Sequence, residues 1–371
     1  MKFRHLDRVL IPAIPTWFSK QENGYILDME QNQNYIRSIL NTPVGGVAAL
    51  VHTGRGNFLY KEEKETYLKY CVEIAHNQSK VVITGVNNID DARMAKNIGI
   101  DAVLIFPNRH ELKTLHDPER SKKIYEYHKK ICQIHGNGII FLLYEATGIG
   151  IVYNSKELKR LLSIPEICGI KFALLSNFEK LEDMLAYLYQ NKVNTSIFTG
   201  EDRMFAESIE KARDFVIKTE CNMRVNSLIG LGQALPYIQS FMLKTFDHPQ
   251  YQADYFIARS IISDLARHTF VRPRRDASEA CYDLPMEPYI QNMGEATKLQ
   301  FNLKENLIAD IATIKTEQKA RNIPKLICNS LKSFNFTENK SQIEKIMVDG
   351  LKFEEDLRKK YGKNLEKINV Q

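Results

Sequence analysis

One lysine lies inside the most core-like segment of the chain. A largely apolar run from Ile164 to Ile170 is followed by Lys171, and the apolar character then continues to Leu175. Lysine is among the residues that are least often fully buried in proteins. Apolar surroundings disfavour the charged ammonium, so they lower the lysine pKa and leave a free amine that can attack a carbonyl carbon. Lys171 is therefore a candidate nucleophile for Schiff-base chemistry.

A tyrosine ends the apolar run that precedes this one. Tyr144 closes the segment 138–144, and neighbouring strands of a barrel would place it near Lys171 at the same mouth. A phenol beside a free amine can relay protons while a carbinolamine forms and a C–C bond breaks. A simpler interpretation stays open, in which Lys171 extends from a strand end to solvent and Tyr144 only packs.

A glycine-rich segment, "VHTGRGNF" over 51–58, is the third candidate element. Glycines allow the backbone to approach a ligand, and exposed N–H groups can bind a carboxylate. Thr53 is placed to hydrogen-bond a neighbouring hydroxyl such as that of Tyr144. The segment has no GK[ST] and is not a P-loop, and an ordinary glycine-rich turn is the alternative.

Eight short runs rich in Val, Ile and Phe are typical of strands buried on both faces, and segments of helical period separate them. The runs cover 8–15, 45–51, 80–86, 101–107, 138–144, 167–173, 195–200 and 214–219. Clear helical examples cover 61–78, 88–99 and 177–191. This alternation predicts an α/β fold, a (β/α)8 TIM barrel followed by a C-terminal helical region. An open doubly wound sheet is disfavoured because no GxGxxG follows the first strand.

Three regions are predicted along the chain. Residues 1–224 form the barrel with the active site, 225–304 form helices packed on the barrel, and 305–371 form an extra helical extension. Because the carboxyl ends of barrel strands carry the active site, the residues that follow each strand are where chemistry is expected.

Composition restricts the function classes. The 371 residues are 44% hydrophobic and 26% charged, and a net charge of +6 over this length does not indicate nucleic-acid binding. The six cysteines contain no CxxC pair, and the histidines have no HxH or HExxH spacing, so neither a metal site nor a disulfide framework is predicted. No signal peptide and no stretch of about 20 apolar residues is found. These features predict a cytoplasmic protein that uses no cofactor and binds neither nucleic acid nor a membrane.

Several segments in series resemble the dihydrodipicolinate synthase / N-acetylneuraminate lyase family of class I aldolase barrels. "VGGVAALVHTGRGNF" is similar to the strand of that family that ends in GTTGE, and "LLYEATG" to its YN-x-P segment. "IPEICGIKFALLSN" resembles its P-N-I-V-G-I-K signature, "IFTGED" its S-G-x-D loop and "VIKTECN" its final strand. The order and spacing hold over roughly residues 8–224.

The resemblance implies roles for individual residues. Lys171 matches the Schiff-base lysine and Tyr144 the proton-relay tyrosine. Thr53 matches the second threonine of GTTGE, which helps to bind the keto-acid carboxylate and links to the tyrosine, and Gly54 follows it. Ile217 matches an apolar residue that flanks the bound keto acid.

The departures from the family pattern concern the substrate. His52 and Arg55 replace the first threonine and the glutamate of GTTGE, Glu145 replaces the asparagine after the tyrosine, and Ile149 stands where the synthases have an arginine. His52, Arg55 and Glu145 are therefore candidate substrate contacts. The changes argue against dihydrodipicolinate synthase itself and favour a branch with a different aldehyde or acid.

The resemblance implies a lyase or aldolase that acts on a 2-keto acid of the pyruvate type or on a related sugar acid, with an aldehyde as a further reactant in some of these reactions. A dehydratase is a close variant, because the same imine can drive β-elimination. A homo-oligomer, dimer or tetramer, is expected. The alternative from another class is a barrel that has lost catalysis and serves as a ligand-binding or scaffold protein.

Overall fold

The computed structural model describes most of the chain in thirteen pieces. These are residues 3–21, 24–54, 56, 59–106, 119–143, 153–173, 178–193, 195–269, 286–301, 307–308, 337–362, 365 and 368. Within them, no helix is both long enough and apolar enough to cross a membrane.

Eight parallel strands form the barrel, in the order β1-β10-β9-β8-β7-β6-β5-β4. They are β1 (Leu10–Pro12), β4 (Gly46–Ala49), β5 (Val81–Val86), β6 (Ala102–Ile105), β7 (Gly138–Leu143), β8 (Ile167–Ala173), β9 (Ser196–Thr199) and β10 (Arg224–Ile229). A parallel bridge between Ala13 and Ala48 closes the ring, and the Ile14 N–H donates to the Ala48 carbonyl at 3.0 Å. The predicted TIM barrel is confirmed.

The strands are buried on both faces because the barrel has two apolar layers. Ile83, Leu104 and Ile139 point inward and pack with one another inside the barrel. Their neighbours in sequence, such as Val82 and Ile140, point outward and pack against the helices. The near-continuous apolar runs in the sequence follow from this double burial.

Helices alternate with the strands on the outside of the barrel. They are α1 (Met29–Leu40), α2 (Lys61–His76), α3 (Ile89–Ile98), α4 (Glu119–His135), α5 (Ser155–Leu162), α6 (Phe178–Gln190) and α7 (Phe205–Thr219). Local sequence fixes several of their ends. The Asn88 side chain accepts from the Asp91 N–H at 2.8 Å at the start of α3, and Gly99 ends that helix at φ +90°.

The eighth strand lies later in the chain than the sequence predicted. The segment 214–219 is the last part of α7, whose buried face carries Phe205, Ile209 and Ala212 at helical spacing. The strand β10 begins only at Arg224, so the barrel extends past the boundary predicted at residue 224. The prediction was wrong because a short apolar run has the same local signal in a strand and in a helix.

A small antiparallel sheet follows β1 at the carboxyl-terminal end of the barrel. It consists of β2 (Trp17–Gln21), β3 (Gly24–Leu27) and β11 (Leu307–Ile308). Leu307 pairs with Phe18 and Ile308 with Trp17, so the C-terminal region contributes a strand as well as the predicted helices. A strand of two residues is too short to show the alternating pattern that marks a strand, so the sequence carries no signal for β11.

In the described residues after β10, four helices complete the C-terminal part: α8 (Pro236–Thr245), α9 (Gln252–Thr269), α10 (Met286–Phe301) and α11 (Thr337–Tyr361). The carboxylate of Glu354 on α11 is buried and caps the start of α8. Its Oε1 accepts from the N–H groups of Tyr237 at 2.8 Å and Ile238 at 3.3 Å, and its Oε2 accepts from Gln300 Nε2 at 3.3 Å. The terminal helix α11 therefore satisfies backbone donors that no local side chain reaches.

We expect Glu354→Ala to lower the free energy of unfolding by about 1–3 kcal/mol, because buried N–H groups lose their acceptor. Glu354→Gln keeps an acceptor oxygen and should lose less. Glu355→Ala is the matched control, since that neighbouring side chain is 67% exposed and forms a surface ion pair with Lys359 at 2.7 Å. Urea denaturation measures all three variants. Equal losses for residues 354 and 355 would show that the cap contributes nothing.

Candidate active site

Lys171 points into the barrel two residues before β8 ends. The register pairs it with Phe141 on β7 and with Phe198 on β9, and both of these belong to the apolar layer inside the barrel. The side chain is only 8% exposed. The strand that looked like core in the sequence therefore presents its lysine to the barrel interior near the carboxyl-terminal mouth.

Burial changes the acidity of this amine. It lowers the pKa of Lys171 to about 8, while the negative charges of Asp202 and Glu201 act in the opposite direction. A substantial fraction of the amine is consequently neutral near physiological pH, and a neutral amine is the form that attacks a carbonyl carbon.

The end of β9 makes room for the lysine. A Cβ atom at Gly200 would lie 2.6 Å from Lys171 Cε and 2.5 Å from the Phe172 carbonyl oxygen, so only glycine fits there. The two acids that follow Gly200 lie at the same mouth. Glu201 is buried, and Asp202 Oδ1 accepts from the Leu231 N–H at 2.6 Å. This contact joins the segment after β9 to the segment after β10.

The glycine-rich segment follows β4, four strands from β8 around the ring, so it approaches the mouth from the opposite wall. Thr53 is buried there and His52 is half-buried. The Gly54 carbonyl accepts from Thr16 Oγ1 at 2.6 Å, and a Cβ atom at Gly54 would lie 2.8 Å from the Ile14 carbonyl oxygen. The glycine is thus needed for close packing against the chain after β1.

The remaining candidates divide into two groups. Arg55, Tyr144, Glu145 and Ile149 lie outside the described residues. Ile217 does not lie at the mouth of the barrel: it is on α7, 47% exposed, so its expected place beside a bound keto acid was wrong. The error follows from the misplaced eighth strand. On β10, Leu228 belongs to the apolar layer inside the barrel, and the buried Asn226, two residues earlier, is paired in register with Phe198 of that layer.

Sequence reasoning missed several residues around the amine. Phe141 and Phe198 could not be found from the sequence, because the register between neighbouring strands decides which residues lie beside Lys171. Asp202 had a visible signal, since two acids directly follow a strand in "TGED". Among the described residues, no group of three or more His, Cys, Asp or Glu side chains is placed to hold a metal ion.

The fold and the site define a TIM barrel that holds a lysine amine at the carboxyl-terminal mouth of its strands. Residues 7–233 match the model of the dihydrodipicolinate synthetase family, and the chain belongs to that family. A 4-hydroxy-tetrahydrodipicolinate synthase of Methanoculleus marisnigri is 26% identical over 231 residues, which cover 61% of this chain and 75% of that protein. The family expected from the sequence motifs is confirmed.

Solved structures show the same fold. The wild-type sialic acid aldolase of Ruminococcus gnavus superposes with a TM-score of 0.63 at 16% identity, covering 93% of this chain and 98% of that one. The catalytic lysine mutant of the same aldolase superposes with a TM-score of 0.54 at 17% identity, covering 78% of this chain and 96% of that one.

Proposed function

We propose that this protein is a Schiff-base lyase or aldolase that acts on a 2-keto acid of the pyruvate type or on a related sugar acid. The observation that carries the proposal is the position of Lys171, a buried amine with a lowered pKa at the mouth of the barrel. The membership of the family supports it, as does the existence of a catalytic lysine in the structurally similar sialic acid aldolase.

The proposed reaction begins when the neutral Lys171 amine adds to the ketone carbon of the substrate. Loss of water gives an iminium ion, which withdraws electrons from the adjacent carbon and allows a C–C bond to break or form. Tyr144 transfers the protons, and Thr53 binds the keto-acid carboxylate and orients the phenol. His52, Arg55 and Glu145 contact the part of the substrate beyond the keto acid.

The loop after β4 supports the assignment of a carboxylate site. Thr53 is buried at the wall opposite β8, and Gly54 is fixed by the hydrogen bond from Thr16. A substrate whose ketone carbon reaches Lys171 can extend its carboxylate towards that wall. A homo-oligomer in solution remains part of the proposal.

Trapping tests the proposal directly. The protein is incubated with pyruvate, reduced with borohydride, and its intact mass is measured. Reduction converts an imine into a stable secondary amine, so a mass increase of one pyruvate unit that maps to Lys171 supports the proposal. If no keto acid of a varied panel gives an adduct, the barrel is better explained as a ligand-binding or scaffold protein.

The rate of trapping should rise with pH and level off above about pH 8, because only the neutral amine reacts and burial sets the pKa of Lys171 at about 8. Rates are measured from pH 6 to 10 with cyanoborohydride at limiting pyruvate. A midpoint near 10.4, the usual lysine pKa, would show that the amine is not desolvated.

The same shift has a consequence for stability. The folded protein releases this proton more readily than the unfolded chain, so the wild type should gain stability relative to Lys171→Met between pH 8 and 10.

A further inference from the structure

Phe141 is the side chain that lies against the reactive nitrogen. It is paired with Lys171 across β7 and β8, and the Lys171 Nζ atom lies 5.1 Å from the centroid of the Phe141 ring. Phe141 is 6% exposed, so little water reaches the contact. This distance is within the range in which a cation is attracted by the face of an aromatic ring.

The ring is held by its other neighbours. Phe106, directly after β6, packs against it in an edge-to-face contact with centroids 5.1 Å apart and planes at 68°. Phe106 itself occupies space left free by Gly85 on β5, where a Cβ atom would lie 2.7 Å from the Phe106 ring. Tyr127 on α4 donates to the Phe106 carbonyl at 2.9 Å. Phe141 therefore has little freedom to leave the amine.

The proposed reaction creates a charge at this place. The nitrogen forms a bond to the ketone carbon, and the C–O bond breaks as the oxygen leaves as water. One proton of that water comes from the amine and one from a general acid, so the nitrogen keeps one hydrogen and the iminium ion carries a full positive charge. Burial raises the free energy of any cation at this position, so the site needs a group that stabilises the positive charge.

We propose that Phe141 is a catalytic residue, whose ring face stabilises the iminium ion formed on Lys171. The inference rests on the proposed function and adds the group that makes a cation tolerable inside an apolar barrel. Asp202 and Glu201 supply negative charge from the side of β9, whereas the ring acts from the side of β7. The ring requires no counter-charge and no proton, so it does not compete with the acid–base steps.

The matched comparison is between Phe141→Leu and Phe198→Leu. Both phenylalanines flank Lys171 in register and belong to the same interior layer, but Phe198 stacks on Phe3, with centroids 5.9 Å apart. The fraction of protein trapped by rapid borohydride reduction is measured against pyruvate concentration. We expect the imine equilibrium constant to fall about five- to thirtyfold in Phe141→Leu and to change little in Phe198→Leu.

Fluorinated phenylalanines at position 141 separate the charge effect from packing. One, two and three fluorines withdraw electrons from the ring face and barely change its shape. The logarithm of the imine equilibrium constant should fall steadily with fluorine number. A flat series, or equal losses in Phe141→Leu and Phe198→Leu, overturns the role of Phe141. If the wild type itself forms no adduct at Lys171, the proposed function fails and this inference fails with it.

Discussion

Replacing Lys171 by methionine is expected to abolish the borohydride-trapped adduct and to lower turnover by more than about 10³-fold, the order of loss seen when a covalent nucleophile is removed. Methionine fills a similar volume without an amine, so it cannot form the imine. It also removes a buried ionisable group, and the variant should therefore fold at least as stably as the wild type. Intact mass after reduction, a keto-acid turnover assay and thermal denaturation check the three expectations.

Lys218→Met is the matched control for this experiment. Lys218 is an exposed lysine on α7, and it lies in the segment that the sequence had placed at the active site. This variant should form the adduct as the wild type does. An adduct that persists in Lys171→Met, or disappears in Lys218→Met, would assign the imine to another lysine.

Replacing Tyr144 by phenylalanine is expected to reduce turnover by about 10²–10⁴-fold, the usual contribution of a positioned general acid–base group. The loss should come from the proton-transfer steps, so the variant should still accumulate a trapped adduct when it is given long incubation with pyruvate. Single-turnover kinetics and trapping on the same samples separate the two effects. Turnover close to that of the wild type would remove Tyr144 from the mechanism.

Tyr153→Phe provides the comparison for that result. Tyr153 lies nine positions further along the same connection, two residues before α5, and its hydroxyl is hydrogen-bonded to His128 Nε2 at 3.1 Å in a buried contact. Removing this hydroxyl should lower stability and leave turnover within a few fold of the wild type. If both variants lose turnover equally, the loss reflects a disturbed connection after β7 and not proton transfer.

Most of the barrel could be predicted from the sequence because a strand buried on both faces must be apolar throughout. Seven of the eight predicted runs contain a barrel strand, namely β1 and each of β4 to β9. The exception, 214–219, is as apolar as the strand runs but forms the end of α7. Its helical character shows only in the spacing of the buried residues that lie earlier in that helix, up to twelve positions before. The two-residue strand β11 and the cap that Glu354 provides for α8 depend on contacts between distant segments.

The sequence by itself determined the family, because several motifs occur in the family's order and spacing. It also determined the candidate nucleophile, because a lysine within an apolar strand is rare enough to stand out without any structure. It did not determine what surrounds that lysine. The placement of Phe141 against the amine, the space left by Gly200 and the approach of Asp202 all depend on how β7, β8 and β9 are aligned. Lateral register is set by the closure of the whole barrel, so only the tertiary structure decides which groups lie beside the Lys171 nitrogen.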